Sequence, residues 1–152
     1  MSTEAKIDLA RVDYRDSFDA PVARWPGAQA AAEPLFGASP AWMKGLMLVR
    51  DCLVAPWGLK TAGFNRPADW QGRVGMFRVY ASGEDEIVLG EDDRHLDFRI
   101  HVRRRRDADG DRLEAETRIQ LHNRLGRLYL GLVKPWHRWI VAGFVSRAAR
   151  SL

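Results

Sequence analysis

The most regular pattern in the chain is a two-residue alternation of hydrophobic and polar side chains between residues 96 and 121. The apolar members of the first stretch are Leu96, Phe98, Ile100 and Val102. Those of the second are Leu113, Ala115, Ile119 and Leu121, with Thr117 in the same phase. This alternation predicts two antiparallel strands, each covered on one face only. We expect the apolar face to meet the last helix, because a slip of one residue would bury Arg99, His101 and Arg103 instead.

The turn between these strands accounts for the most basic segment of the chain, "HVRRRRDADGD" at residues 101–111. Residues 107–110, Asp-Ala-Asp-Gly, have the composition of a hairpin turn. The resulting register pairs Arg106 with Asp111, Arg103 with Glu114 and His101 with Glu116. Opposite charges then meet on the outer face of the sheet, and the arginines form the exposed end of a hairpin. No base-stacking aromatic residues are interleaved with them, so we predict no specific nucleic-acid binding.

Two helices are predicted in the first half of the chain. The sequence AQAAAE, residues 28–33, should form a short helix closed by Pro34 and Gly37. Ser39 and Pro40 are typical of a helix start, so residues 41–55 should form a second, largely buried helix that ends at Pro56.

The last predicted helix follows Asn123, a residue type favoured at the N-cap position. Its apolar stripe, which we expect to face the sheet, consists of Leu125, Leu128, Tyr129, Leu132, Trp136, Trp139 and Ile140. The basic residues expected to face away are Arg124, Arg127, Lys134 and Arg138. Pro135 lies inside the pattern and should kink the helix rather than end it, because the stripe resumes beyond it.

In chain order these elements predict an α+β fold. A short first strand through Val12, Tyr14 and Phe18 is followed by two helices, then by antiparallel strands with a hairpin at residues 82–85, then by the long helix. A curved antiparallel sheet wrapped around the C-terminal helix buries all the apolar faces, which is a helix-grip arrangement. Residues 1–10 should be a loosely ordered N-terminus, and residues 11–150 a single domain.

Composition narrows the class of protein. The 152 residues include 24 basic and 20 acidic ones, which gives a net charge of +4. So small an excess of basic residues is typical of ordinary charged side chains on a protein surface. No stretch reaches the roughly 18 apolar residues of a membrane span, and the N-terminus lacks the apolar core of a secretory signal. The single cysteine, Cys52, lies in an apolar segment, where a buried and inert thiol is expected. These features predict a cytoplasmic protein.

The segments "DRHLDFRI", "LHNRLGRLYLGLVKPWHR" and "LVRDCLVAPWGLK" resemble a bacterial family, domain-of-unknown-function family 2867. The resemblance runs from about Asp13 to Ala149 and is most specific at residues 126–129 and 135–138, with Trp136 where Phe is more common. It implies a place in the START-like (SRPBCC, polyketide-cyclase-like) superfamily, a helix-grip fold and an apolar cavity between sheet and helix. It supplies no established reaction, and the superfamily mixes binding proteins, lipid carriers and enzymes.

Two polar groups are candidates for chemistry. Asp93, His95 and Asp97 share one face of a predicted strand, where they can bind a metal or move a proton. With one histidine among them, ion pairs that fix the start of the strand are the favoured interpretation, and we predict no metal. His137 on the last helix is either a general base at a cavity mouth or a structural hydrogen-bond donor at the edge of an apolar stripe.

The leading functional hypothesis is binding of an apolar or amphipathic small molecule between the sheet and the last helix. The residues predicted to line that site are Trp42, Leu46, Trp57, Phe98, Ile100, Tyr129, Leu132, Trp136, Arg138 and Trp139. An enzyme of the cyclase or hydratase kind and a non-catalytic interaction module are the alternatives. No motif for a phosphate, nucleotide or other cofactor occurs, so no cofactor is predicted.

Overall fold

A computed structural model describes residues 7–36, 56, 72–75, 77–92 and 95–152. The elements in this part of the chain are β1 (Tyr14–Pro21), α1 (Ala28–Phe36), β2 (Arg73–Val74), β3 (Phe77–Ser82), β4 (Glu86–Asp92), β5 (Leu96–Asp107), β6 (Gly110–Leu121) and α2 (Arg124–Ser151). The fold is α+β, as predicted.

The strands form one sheet in the order β1-β6-β5-β4-β3-β2. Neighbouring strands are antiparallel, and β1 crosses over to pair with β6 at the far end of the chain. The β5–β6 hairpin has the predicted register: Arg106 lies opposite Asp111, Arg103 opposite Glu114, and His101 opposite Glu116. The predicted turn at residues 82–85 joins β3 to β4. Turn chemistry and alternation were therefore sufficient to align this part of the sheet.

The chain that leads into the hairpin at residues 82–85 is divided between β2 and β3. Val74 pairs back onto Phe77, which requires a tight turn. Gly75 adopts φ +59°, the left-handed region that glycine enters at little cost. The register of β3 against β4 then shifts between Val79 and Ala81, which leaves Tyr80 as an extra residue.

The core lies on one face of the sheet. The strand residues fully buried there include Leu89, Val102 and Leu113. Helix α1 covers this face over β2 to β5, whereas α2 packs against β1, β6 and α1. The predicted inward face of β5 is confirmed, since Ile100 and Val102 belong to the core and Phe98 packs against it. The prediction that α2 covers this row of β5 is wrong, because α1 packs over β5, whereas α2 lies over β1 and β6 on the same side of the sheet.

Helix α1 runs beyond its predicted end at Pro34 and stops at Phe36. A proline removes one backbone hydrogen bond but leaves the following turn free to pack. Leu35 is 2% exposed, and the ring of Phe36 meets that of Phe77 edge-on at 5.2 Å. Burial of these two side chains outweighs the missing bond.

Helix α2 begins as predicted. Asn123 has an extended backbone, and its side-chain Oδ1 accepts a hydrogen bond from the Gly126 nitrogen at 2.9 Å. Gly126 lies so close to the sheet that a Cβ atom there would be 2.4 Å from the carbonyl oxygen of His95. The helix continues without interruption through Pro135.

The apolar stripe of α2 that was expected to meet the sheet is only partly buried: Leu125, Tyr129 and Ile140 are half-buried, and the other four members are exposed. Its exposed members are Leu128, Leu132, Trp136 and Trp139. The buried residues of the helix are mostly small: Gly126, Val145, Ala148 and Ala149. Small side chains let the helix approach the sheet closely, and this close contact turns the bulky stripe outward.

Several predictions concern residues outside the described part of the chain. These are the helix at 41–55 with Trp42, Leu46 and Cys52, the ligand-lining Trp57, the acidic Asp93, and the first six residues of the N-terminal segment.

Candidate functional site

A cluster of polar side chains lies between β1 and α2, on the side of the sheet that carries the core. Strand β1 places Tyr14, Asp16, Phe18 and Ala20 on one face, because successive side chains alternate. Phe18 packs against the core and Ala20 belongs to it. Asp16 therefore lies in the apolar row of the strand, and its side chain is 8% exposed.

Asp16 is held from two sides. Its Oδ2 accepts a hydrogen bond from the Tyr14 hydroxyl at 2.8 Å, and Nδ1 of His137 on α2 lies 3.1 Å from the same oxygen. The side chain of His137 is 28% exposed, so the cluster extends from the buried carboxylate to the surface. A strand near the N-terminus and a helix near the C-terminus thus build one polar site.

The surroundings of Asp16 favour its charged form. Burial by itself would raise the pKa of Asp16, but hydrogen bonds from His137 and Tyr14 lower it. The charge of His137 and the nearby Thr117 hydroxyl add to this effect, and the resulting pKa is below the ordinary value. Asp16 is therefore a carboxylate at neutral pH and can only accept hydrogen bonds.

This charge state fixes the roles of the two neighbours. Because Asp16 only accepts, Nδ1 of His137 must carry a hydrogen, and in the neutral ring Nε2 is then the acceptor. Burial, followed by the hydrogen bond to Asp16, raises the pKa of Tyr14 to about 12. Tyr14 is consequently a permanent donor near neutral pH.

Two cations of α2 border the cluster. The Nζ atom of Lys134 lies 5.1 Å from the centroid of the Tyr14 ring. Arg138 is near enough for its charge to oppose the rise in the pKa of the Tyr14 hydroxyl. The mouth of the cluster is therefore positively charged, while its buried end is a carboxylate.

A second polar network covers the opposite face of the sheet, around Glu116. The carboxylate of Glu116 is 5% exposed and pairs with Arg15 at 2.7 Å, Arg103 at 2.8 Å and Arg118 at 2.6 Å. Arg103 also binds Glu114 at 2.8 Å. The predicted meeting of opposite charges is confirmed. These carboxylates are buried, however, rather than solvated as an outer face would suggest.

Arg99 and His101 are also buried on this face, although the alternation predicts that they face away from the core. The guanidinium of Arg99 stacks 3.7 Å from the centroid of the Tyr80 ring and pairs with Asp92 at 2.8 Å. His101 lies opposite Glu116 but bonds Glu86 at 2.9 Å. Long side chains on the same face cover one another, so facing away from the core is not the same as being exposed.

Acid should destabilise this protein through its buried carboxylates. Hydrogen bonds from Arg103 lower the pKa of Glu114. Burial would raise the pKa of Glu116, but hydrogen bonds from Arg118 and Arg15 oppose it, and the resulting pKa is lowered. Groups whose pKa is lower in the folded state contribute stability above their unfolded pKa and lose it as pH falls. We expect the thermal midpoint to hold from neutral pH to about pH 5 and to fall steeply below about pH 4. Equal midpoints at neutral and acidic pH, measured by circular dichroism, would contradict this.

Of the three residues of the candidate metal or proton site, Asp93 lies outside the described residues, and His95 and Asp97 have different partners. His95 contacts the helix cap, with Nδ1 2.7 Å from Nδ2 of Asn123, whereas Asp97 binds His122 at 2.9 Å. Within the described residues, no group of three His, Cys, Asp or Glu side chains is placed to hold a metal ion. The interpretation of this segment as structural therefore agrees with the contacts of His95 and Asp97.

The predicted ligand-lining residues are spread over the molecule. Phe98 lies edge-on to Phe77 at 5.5 Å and, with Ile100, beneath α1. Trp136 and Trp139 lie on the exposed side of α2, as does Leu132, whereas Tyr129 is half-buried. Trp136 therefore does not line a common cavity with Phe98 and Ile100, because it lies on the exposed side of α2.

Sequence reasoning selected His137 and Arg138 but missed Asp16 and Tyr14. A signal was present in the sequence. An acidic residue at the inward phase of a strand, between the inward Tyr14 and Phe18, interrupts the apolar row. Such an interruption marks a buried carboxylate that needs a partner.

The described residues thus define an α+β domain in which an antiparallel sheet carries a long C-terminal helix, with a Tyr–Asp–His cluster at their contact. The sequence model of the family described as "Protein of unknown function (DUF2867)" matches residues 9–144, and the chain belongs to that family. No curated protein matches the chain. No solved structure matches it either. None of the described helices has the length and apolar character needed to cross a membrane.

Proposed function

We propose that this domain has a helix-grip, START-like fold and binds an amphipathic small molecule between β1 and α2, in a bacterial cytoplasm. The strand order supports this classification, because the first strand pairs with the last and the C-terminal helix packs on that edge. The proposed site is centred on Asp16 and His137, with Arg138 at the mouth. Tyr129, which is half-buried on α2, remains a proposed apolar contact.

The observation that carries the proposal is the buried Oδ1 oxygen of Asp16. Among the described residues no donor lies in good hydrogen-bonding geometry with it, and the Thr117 hydroxyl on the neighbouring strand is only close enough to help lower the pKa of Asp16. A buried carboxylate oxygen without a donor is costly, and a bound ligand can remove that cost. The ligand is therefore expected to donate a hydrogen bond from a hydroxyl or an N–H group, while its apolar part contacts the helix.

Native mass spectrometry of the purified full chain tests the proposal. We expect the wild-type protein to retain a small molecule that Asp16→Asn loses, because the amide donates where the carboxylate accepts. Asp19→Asn is the matched control, since Asp19 lies on the same strand but in the outward phase and pairs with Arg112. His137→Phe should also lose the molecule. It replaces Asp16→Asn as the test variant if Asp16→Asn does not fold. Equal retention by all four proteins, or none by the wild type, would refute the proposal.

The same geometry supports a second candidate, an enzyme that uses His137 as a general base. A histidine that donates from Nδ1 to a carboxylate has Nε2 available to take a proton, as in other His–Asp pairs. An enzyme should carry product in the wild type and unreacted substrate in His137→Gln. A mass difference between the two retained molecules would favour catalysis, and identical masses would favour simple binding.

A further inference from the structure

The outward face of α2 carries a row of large apolar side chains that no described part of the chain covers, which we call the exposed stripe. It consists of Leu128, Leu132, Trp136 and Trp139, which are 71%, 62%, 71% and 85% exposed. Their spacings of four, four and three residues place them on one side of the helix. The row is contiguous, and soluble surfaces seldom expose such a patch unless it binds something.

The charge of α2 indicates what this stripe meets. No aspartate or glutamate occurs between Arg124 and Ser151. The charged residues of the helix, all exposed, are Arg124, Arg127, Lys134, Arg138, Arg147 and Arg150. Lys134 and Arg138 border Tyr14, whereas the helical periodicity places Arg124, Arg147 and Arg150 nearest the exposed stripe. The partner of the stripe should therefore combine an apolar layer with negative charge.

A second copy of the chain fits poorly, because two helices of this charge would repel each other along the contact. The phosphates of a nucleic acid would pair with the cations, but its bases stack on aromatic rings rather than on aliphatic chains. The two leucines in line with the tryptophans would then have no partner. An anionic lipid surface satisfies both requirements. Tryptophan and leucine enter the region between headgroups and acyl chains, and arginine and lysine meet the phosphates.

We propose that α2 docks on an anionic membrane surface through the exposed stripe. The helix lies parallel to the bilayer, and its other face, which buries Gly126, Val145, Ala148 and Ala149, packs against the sheet and α1. This contact goes beyond the proposed ligand site, because Asp16 and His137 lie on the sheet side of the helix. The domain is thereby a peripheral membrane protein.

Co-sedimentation of the full chain with lipid vesicles tests the proposal. We expect binding to vesicles of phosphatidylglycerol mixed with phosphatidylcholine, weaker binding when salt is raised, and little binding to phosphatidylcholine alone. In the double variant Trp136→Ser, Trp139→Ser the apparent affinity should fall at least about tenfold. Both side chains are exposed, so the fold should persist, and circular dichroism verifies that it does.

Val12→Ser is the matched control, since Val12 is 47% exposed and lies outside α2. It should bind vesicles like the wild type, whereas Arg147→Gln, Arg150→Gln, exposed cations of α2 outside the proposed ligand site, should bind more weakly. Unchanged binding by the tryptophan variant, or equal binding to charged and uncharged vesicles, would overturn the proposal. A wild-type dimer that the tryptophan variant loses, with no vesicle binding by either protein, would assign the stripe to self-association instead.

Discussion

The Gly126→Ala variant is expected to lose about 3 kcal/mol of unfolding free energy, near the upper end for overpacking in a core. The added Cβ would lie 2.4 Å from the carbonyl oxygen of His95 and 3.3 Å from its carbon. Both are backbone atoms, so no side chain can rotate away. The first turn of α2 must then move off the sheet, which also strains the Asn123 cap. Urea denaturation followed by circular dichroism measures the loss.

Gly131→Ala is the control for this prediction. Gly131 lies on the same helix, and nothing is within 4 Å of a Cβ built there. Alanine favours the helix over glycine, so this variant should gain about 0.5–1 kcal/mol. If both substitutions stabilise the protein, α2 does not approach His95 as closely as the structure shows.

Replacing Glu116 with glutamine is expected to cost about 2 kcal/mol of unfolding free energy. The Glu116 carboxylate is 5% exposed and balances Arg15, Arg103 and Arg118. Removing one partner of a buried pair leaves charge uncompensated, which costs more than the pair itself contributes. The arginines are partly exposed, so solvent screening keeps the loss below that of a fully buried pair.

Glu33→Gln is the comparison, because Glu33 is exposed on α1 and should change stability by no more than about 0.5 kcal/mol. Glu116→Gln should also lose stability less steeply in acid, since one of the carboxylates with a lowered pKa has been removed. Equal stabilities of the two variants would mean that the network on this face of the sheet contributes nothing.

The sequence by itself determined the local structure. Alternation and turn composition predicted the β5–β6 register residue by residue, as far as Arg103 opposite Glu114. The cap at Asn123 was also correct. These features depend on interactions between residues close in the chain, such as a cap hydrogen bond or a two-residue strand period, and they look the same in any tertiary context. His137 was recognised as a candidate from its residue type alone, which also needs no knowledge of the tertiary structure.

Only the tertiary structure decided which surfaces meet. Helix α2 has apolar residues on more than one side, so periodicity could not tell that Gly126 and Ala148 are buried while Trp136 faces outward. The partner of His137 was hidden too, because Asp16 lies 121 residues away in the chain. The pairing of β1 with β6 beneath α2 brings the two together. Close approach of small residues and long-range strand pairing are properties of the assembled fold, and no local pattern encodes them.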